Sequence, residues 1–218
     1  MSPLKRLFAA FRSRKQAEGA GEAQETAPVA WVVAGLGNPG EKYRRSRHNA
    51  GFAVVERLAA SAGARFSRRR FNGITARIEL AGAPAILVKP ETYYNASGEC
   101  IAALLGYFKV PAGRLIVVHD DLDLEAGRLR IKQGGSDAGN RGVRSVSEML
   151  GTPDFIRVRI GIGRPAPGGD AKEYVLEPMT KEIELSWFVP AIERAAEAVK
   201  AIAEEGLERA MGRFNQRV

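Results

Sequence analysis

The sequence predicts an α/β fold, a single three-layer α/β/α domain with a mostly parallel, mixed central sheet. Short apolar runs of strand length alternate along the chain with segments in which apolar residues recur every three or four positions. The first pattern is typical of buried strands and the second of amphipathic helices. Because the two alternate, we expect helices to cover both faces of the sheet.

The strands are predicted at the apolar runs. They cover residues 31–34, 74–80, 85–88, 115–118, 129–132 and 156–163. A turn containing Gly82 joins the second and third strands. Four helices are predicted from apolar residues at helical spacing: Phe52, Val55 and Leu58; Ile101, Leu104 and Phe108; Val143, Val146 and Leu150; Phe188, Ile192, Ala195, Val199 and Ile202. Pro190 lies in the first turns of the last helix, where a start or a kink is expected.

The composition narrows the classes of function. The chain of 218 residues carries 33 lysines and arginines against 25 acidic residues, a net charge of +8. This excess favours a polyanionic partner such as nucleic acid, with solubility as the alternative explanation. The single cysteine, Cys100, excludes an internal disulfide and indicates a reducing, cytoplasmic location. No apolar stretch approaches the roughly 18 residues that span a bilayer, so no membrane partner is expected.

Residues 1–30 differ from the rest of the chain. Up to Lys15 the segment is basic and contains no acid, and Leu4, Leu7, Phe8 and Phe11 recur at helical spacing. Residues 17–30 are rich in Ala, Gly, Glu and Gln, which predicts a flexible linker. A surface-binding helix and a dispensable extension are the two interpretations of the basic part. The folded domain is expected to span residues 31–218.

The loop at 35–40, Gly-Leu-Gly-Asn-Pro-Gly, follows a predicted strand and fits the dinucleotide-binding fingerprint. A nucleotide loop should lead straight into a helix, whereas here Pro39 and Gly40 form a turn and a polar stretch follows. The acid expected about 20 residues further on would be Glu56, inside a helical pattern. We therefore favour another role, in which the loop brings the Asn38 amide to the carboxyl edge of the sheet.

Two histidines are available for acid–base chemistry, His48 and His119. His48 lies between a loop and a helix, and Asp120 lies at the end of a buried strand. A carboxylate that binds one imidazole nitrogen leaves the other to take a proton from water. The alternative is that a histidine here caps a helix or packs in the core.

Other routes to catalysis have less support. Ser136 lies in a glycine-rich loop that misses the G-x-S-x-G pattern at its last position. Cys100 precedes an apolar helical pattern, which indicates packing. The acids Asp120, Asp121 and Asp123 lack zinc and calcium patterns, and magnesium is the remaining alternative. We expect no metal and no cofactor.

Further residues suit an RNA-shaped ligand. Tyr93 and Tyr94 precede Asn95, and paired aromatic rings beside an amide can stack on unpaired bases. The alternative for the tyrosines is rim packing. A second group of residues lies near the glycine-rich loop and could bind phosphate or form a solvated strand face: Lys132, Arg157 and Arg159.

Together these segments resemble the bacterial peptidyl-tRNA hydrolase family. The matches are Gly-Leu-Gly-Asn-Pro-Gly at 35–40, Tyr43, Arg-His-Asn-Ala-Gly at 47–51, Lys-Pro at 89–90, Tyr-Tyr-Asn-Ala-Ser-Gly at 93–98, His-Asp-Asp-Leu-Asp at 119–123, and residues 155–165. They extend in the family's order from residue 31 to about residue 212, and the set is far more specific than any single piece.

The resemblance implies hydrolysis of the ester that joins a peptide to the 3′ ribose of tRNA. It makes His48 the general base and Asp120 the residue that holds it. It makes Asn38 the residue that distinguishes blocked from free aminoacyl groups. Asn95 would bind the peptide backbone or polarise the scissile carbonyl.

The resemblance also implies the contacts to tRNA, at the acceptor stem, the 3′ end and the 5′-phosphate. Tyr43 and Tyr93 match tRNA contacts, and Lys132 and Arg159 match the pair that binds the 5′-phosphate. Tyr94 and Arg141 occupy further substrate-binding positions. None of these motifs requires a cofactor or a second copy of the chain, so we expect a cofactor-free monomer.

Three residues depart from the family's usual pattern. Tyr94 stands where methionine is usual, and Asn140 and Arg141 replace the His-Asn pair of Gly-His-Asn-Gly. Arginine cannot accept a hydrogen bond, so a water-ordering role of that asparagine is lost at Arg141. The alternative function is therefore an RNA-binding member of the family with weak or no hydrolysis.

Overall fold

A computed structural model describes residues 27–216, so the predictions for the basic segment up to Lys15 and for the linker up to residue 26 lie outside the described residues. The described part contains seven strands: β1 Trp31–Gly35, β2 Arg68–Arg70, β3 Gly73–Leu80, β4 Ala83–Pro90, β5 Leu115–Asp121, β6 Leu129–Gln133 and β7 Ile156–Gly161. Its α-helical segments are α1 Ala50–Ser61, α2 Ser97–Phe108, α3 Arg141–Leu150, α4 Ala171–Leu176, α5 Lys181–Ile183, α6 Val189–Glu205 and α7 Leu207–Phe214.

All seven strands form one sheet in the order β2-β3-β4-β1-β5-β7-β6. Neighbouring strands are parallel from β4 through β1 and β5 to β7, and the other three pairings are antiparallel. Five strands therefore run in one direction, with β3 and β6 opposed. The predicted mixed, mostly parallel sheet is confirmed.

Helices cover both faces of the sheet, as predicted. Alternate residues of a strand point to opposite faces: on β1, Val33 packs with the layer of α1, α6 and α7, whereas Val32 packs with the layer of α2 and α3. Both side chains are fully buried, and each such valine contributes about 1.5–3 kcal/mol through burial. Within residues 27–216 no helix is long and apolar enough to cross a membrane.

Three local features differ from the prediction. The strand β2 pairs with β3 through a two-residue turn in which Phe71 and Asn72 have φ of 53° and 55°. The helical pattern after Thr180 is interrupted by the π-helical turn Glu184–Phe188, which ends two residues before Pro190. In a regular α-helix the Pro190 ring would crowd the carbonyl four residues earlier, and the wider turn relieves this. The short helix α4 was not predicted.

Candidate active site

The site lies where three parallel strands end side by side. β1 is the central strand of the three, with β4 and β5 as its neighbours. Asn38 follows β1, Tyr93 to Asn95 follow β4, and Asp120 is the second-last residue of β5. Carboxyl ends of neighbouring parallel strands are the usual location of sites in α/β folds.

His48 reaches this edge from the 3-10 turn Arg47–Asn49, which leads into α1. The start of α1 packs directly on the ends of β1 and β5. A Cβ atom on Gly51 would lie 2.3 Å from the Val118 carbonyl oxygen and 2.4 Å from the Leu36 nitrogen. Only glycine permits this approach, and the approach brings His48 beside Asp120, two residues after Val118.

His48 and Asp120 form a hydrogen-bonded pair. The distance from His48 Nδ1 to Asp120 Oδ2 is 2.9 Å. Because the carboxylate can only accept, Nδ1 carries the proton and Nε2 is left as the acceptor. The His48 side chain is 17% exposed and that of Asp120 is 4% exposed. The imidazole therefore has access to solvent while the carboxylate does not. This arrangement suits a general base whose tautomer and orientation are fixed by a buried carboxylate.

The surroundings keep Asp120 ionised. Burial alone would raise its pKa, but His48, as a charge and as a donor, and the Tyr94 hydroxyl together hold the pKa below its ordinary value. Burial raises the pKa of Tyr94 well above the ordinary value, with the charge of Asp120 adding to the effect. Tyr94 therefore remains a neutral hydroxyl that donates to a charged carboxylate.

Asn38 is buried and fixed by its neighbours. Its side-chain Oδ1 accepts from the Tyr94 backbone N–H at 2.9 Å. The Asn38 backbone N–H donates to Asn49 Oδ1 at 2.8 Å, and the Asn38 carbonyl accepts from Asn49 Nδ2 at 3.1 Å. With the oxygen engaged, the Asn38 Nδ2 group is the end that can donate to a ligand. Asn49 was not predicted, although it directly follows His48.

A cavity of about 540 Å³ lies over the pair. Its wall includes Asn38, His48, Asp120, Asn95 and the exposed Arg141. Asn95 is exposed on the 3-10 turn after β4. The far wall belongs to α4 and the residues that precede it: Arg164, Ala171, Lys172, Val175 and Leu176. The predicted catalytic residues His48, Asp120, Asn38 and Asn95 thus meet at one cavity.

The two neighbouring tyrosines differ in exposure. Tyr93 is 69% exposed and Tyr94 is 4% exposed. The Tyr94 ring stacks on the His48 ring, with centroids 3.5 Å apart and planes 14° apart. The two rings therefore do not form one exposed surface, and the substrate-binding role of Tyr94, which lines the cavity, stays a prediction. Tyr43 is half-buried outside the cavity lining, and the Lys42 ammonium lies 4.7 Å from its ring centre.

The basic residues near the glycine-rich loop also differ in burial and in their partners. Arg157 is 1% exposed, and its guanidinium donates to the carbonyls of Ser136 and Gly135 at 2.7 Å and 3.0 Å. Its suggested role in phosphate binding is therefore wrong, because these donors hold the loop. Arg159 donates through Nε to Asp121 at 2.6 Å, and its side chain is 14% exposed. Lys132 is half-buried on the neighbouring strand.

Asn140 has a structural role that the sequence analysis missed. It is the N-cap of α3, where its Oδ1 accepts from the Val143 N–H at 3.0 Å. Its Nδ2 donates to the Tyr94 hydroxyl at 2.9 Å. An asparagine just before a helical pattern is a strong N-cap signal and would have located this residue. Within residues 27–216 no group of three or more His, Cys, Asp and Glu side chains is arranged to hold a metal ion.

Comparisons with known proteins identify the family. The sequence profile of the family described as peptidyl-tRNA hydrolase matches residues 32–218. The chain is 43% identical to the peptidyl-tRNA hydrolase of Carboxydothermus hydrogenoformans, over 85% of this chain and 98% of the relative. It is 45% identical to that of Frankia casuarinae, over 85% of this chain and 93% of the relative.

A solved structure gives the same result for the fold. The crystal structure of peptidyl-tRNA hydrolase from Acinetobacter baumannii has a TM-score of 0.79 with this chain at 32% identity. The match covers 87% of this chain and 97% of the other. The family profile and these relatives all match nearly the whole of the described domain, and they agree on the family. The chain belongs to the peptidyl-tRNA hydrolase family.

Proposed function

We propose that this protein hydrolyses the ester bond between the peptide and the 3′ ribose of peptidyl-tRNA. The reaction recycles tRNA from peptidyl-tRNA that was released prematurely during translation. The observation that carries the proposal is the His48–Asp120 pair on the cavity wall, with Nδ1 bound to the carboxylate and Nε2 available. Family membership supports the choice of substrate. The reaction needs a base, a water molecule and donors for the carbonyl oxygen.

His48 takes a proton from water as that water attacks the ester carbonyl carbon. The protonated imidazole is stabilised by the charged Asp120. When the tetrahedral intermediate collapses, the bond from the carbonyl carbon to the ribose 3′-oxygen breaks, and the proton on Nε2 passes to that oxygen. The products are tRNA with a 3′-hydroxyl and a peptide carboxylic acid, which loses its proton to solvent, and His48 is neutral again.

Asn38 and Asn95 recognise the peptide part of the substrate. Asn38 is held by its Oδ1, so its Nδ2 can donate to a peptide carbonyl. Asn95 stands at the mouth of the cavity and can polarise the scissile carbonyl or bind the peptide backbone. A free α-ammonium would place an unpaired charge among these groups, which disfavours unblocked aminoacyl-tRNA.

The 3′ end of the tRNA lies across the exposed rim of the cavity. Tyr93 offers a large exposed ring on which an unpaired base can stack. Arg141 supplies a cation for a neighbouring phosphate, and its inability to accept a hydrogen bond leaves the positioning of water to other groups. Tyr43, beside Lys42, contacts the acceptor stem. Lys132 and Arg159 bind the 5′-phosphate.

The catalytic unit comprises residues 31–218, preceded by the basic extension of residues 1–30. We propose that it acts as a monomer in the cytoplasm, where tRNA is recycled. This rests on the reaction itself, since every residue given a role belongs to one chain.

The test is single-turnover hydrolysis of N-acetyl-aminoacyl-tRNA beside unblocked aminoacyl-tRNA. The expected result is rapid release from the blocked substrate alone, abolished in His48→Ala with tRNA binding retained. Substantial turnover in His48→Ala would overturn the assignment of the base. Absence of turnover in the wild type, with tRNA still bound, would make the protein an RNA-binding member of the family instead.

A further inference from the structure

Tyr94 contacts both members of the catalytic pair. Its ring lies parallel to the imidazole of His48 at 3.5 Å between centroids. Its hydroxyl donates to Asp120 Oδ1 at 2.7 Å, while His48 binds the other carboxylate oxygen. One side chain therefore sets the plane of the base and occupies the free oxygen of the residue that holds it.

The direction of these hydrogen bonds is fixed by a helix cap. Asn140 Oδ1 accepts from the Val143 N–H, so its Nδ2 must point away from α3. That Nδ2 donates to the Tyr94 hydroxyl at 2.9 Å. With its lone pair engaged in this way, the hydroxyl turns its own proton to Asp120. Donors thus run from Asn140 through Tyr94 to Asp120, and His48 completes the set from the opposite side.

Tyr94 itself has little freedom to move. Its backbone N–H is bound to Asn38, and its carbonyl accepts from the Ser97 hydroxyl at 2.9 Å. A Cβ atom on Gly142 would lie 2.4 Å from the ring atom Cε1, so the start of α3 packs against the ring edge. The ring is enclosed by His48 on one face and by backbone at its edge, as a preorganised support requires.

We propose that Tyr94 is a positioning residue for His48, whose ring stack fixes the imidazole and whose Asn140-directed hydroxyl locks the orientation of Asp120. This inference rests on the proposed function, because it concerns how the base of that reaction is held. Tyr94 and Asn140 act as one unit, since the Tyr94 hydroxyl accepts from the Asn140 side chain.

The first test is Tyr94→Phe, which keeps the ring and removes the hydroxyl. In multiple-turnover assays with N-acetyl-aminoacyl-tRNA we expect kcat to fall about 5- to 50-fold with KM unchanged within about twofold, because the loss concerns orientation and not binding. We expect the midpoint of the ascending limb of the pH–kcat profile to rise. Without the Tyr94 donor, Asp120 concentrates its charge on the protonated imidazole and stabilises it more.

Other charged groups face the pair and must be unchanged in the comparison. They are His119 and Asp121 on β5, Asp123 after it, Arg141 on α3, Arg159 on β7, Arg164 after β7 and Lys172 on α4. The Tyr94→Phe substitution alters none of them. A movement of the pH midpoint in that variant therefore reports the lost hydroxyl.

The second test is Asn140→Asp, which preserves the helix cap but replaces the donor to Tyr94 with an acceptor. The new carboxylate would compete with Asp120 for the Tyr94 proton, so kcat should fall in the wild-type background. In the Tyr94→Phe background the same change should cost less than half as much on a logarithmic scale, since the coupling passes through the hydroxyl. Full additivity of the two losses would show that Asn140 does not act through Tyr94.

Two controls complete the experiment. Tyr107→Phe removes a hydroxyl from α2 whose partner is Arg70, and it should leave kcat and the pH profile as in the wild type. Tyr94→Leu removes the stack and the hydroxyl and should lower kcat beyond Tyr94→Phe. Circular dichroism and thermal unfolding identify any variant that does not fold, and if Tyr94→Leu is unfolded, Tyr94→Phe decides.

The outcomes separate this inference from the proposed function. Wild-type protein that fails to hydrolyse the blocked substrate would overturn the function. Wild-type activity together with an unchanged kcat and pH midpoint in folded Tyr94→Phe would overturn the positioning role and leave the function intact.

Discussion

Asp120 determines which nitrogen of His48 carries its proton, so its charge matters more than its size. Asp120→Asn presents an amide whose NH2 group can donate to Nδ1 and leave Nε2 protonated. We expect kcat to fall about 10²- to 10⁴-fold, with tRNA affinity nearly unchanged. Paired measurements of single-turnover rate and of tRNA binding check this. Loss of binding in parallel with the rate would contradict a purely chemical role.

Arg157 illustrates a residue whose type suggests one role and whose burial gives it another. Its guanidinium lies beneath the loop at Gly134 and Gly135 and donates to three backbone carbonyls. Arg157→Met would leave these carbonyls without donors, at an expected cost of about 2–4 kcal/mol in the free energy of unfolding. Arg130→Met, an exposed position on the adjacent strand, should cost less than about 0.5 kcal/mol.

Urea denaturation of the two variants measures the difference. A stable Arg157→Met protein that had lost only affinity for phosphorylated tRNA would restore the ligand-binding interpretation. Equal stability losses at both positions would contradict the argument from burial.

Sequence patterns located His48, Asp120, Asn38 and Asn95, because loops after neighbouring parallel strands must meet at one edge. They could not separate Tyr93 from Tyr94. Both tyrosines have the same local chemistry, and the 3-10 turn Tyr94–Ala96 decides which ring points inward. That turn depends on contacts from Asn38 and α3, which are remote in sequence.

At the scale of elements, the junction of α1 with β1 and β5 positions His48, the proposed general base. Gly51→Ala would force a Cβ atom against backbone atoms of Val118 on β5 and of Leu36 directly after β1. We expect a loss of about 3 kcal/mol or more in the free energy of unfolding, since backbone cannot move aside as a side chain can. Hydrolysis should fall as well, because α1 can relieve the contact only by carrying His48 away from Asp120.

Gly106→Ala on α2 is the matched comparison. It has no atom within 4 Å of the added Cβ. Alanine should therefore stabilise that helix by about 0.5–1 kcal/mol. Thermal and urea unfolding of both variants check the pair, and a well-tolerated Gly51→Ala with normal kcat would show that the junction is looser than its contacts imply.

Apolar periodicity predicted the central strands and the main helices because burial on two faces imposes it. It failed where other forces act. The strand β2 consists of three arginines and forms because the two-residue turn Phe71-Asn72, with both residues at positive φ, closes a tight hairpin onto β3. The short helix α4 begins at the N-cap Asp170 and buries only Val175, so it has no amphipathic pattern long enough to detect.

At the scale of the whole molecule, the net charge of +8 favours a polyanionic ligand. It can select a particular phosphate only where cationic side chains are held close together. Lys132 and Arg159 lie on the adjacent antiparallel strands β6 and β7. Burial lowers the pKa of Lys132, and the neighbouring Arg157 and Arg159 lower it further. A phosphate bound there would relieve this repulsion, so the cluster is suited to a dianion at the 5′ end of tRNA.

The corresponding prediction compares blocked aminoacyl-tRNA with and without its 5′-phosphate. Removing the phosphate should lower kcat/KM of the wild type about 10-fold, and Lys132→Gln should lower it similarly on the phosphorylated substrate while abolishing the difference between the two. The variant should also reduce the slope of log affinity against log salt by about 1. Lys200→Gln, exposed on α6 across the sheet, should change neither property. A Lys132→Gln protein that still distinguished the two tRNAs as the wild type does would move the 5′-phosphate to another part of the surface.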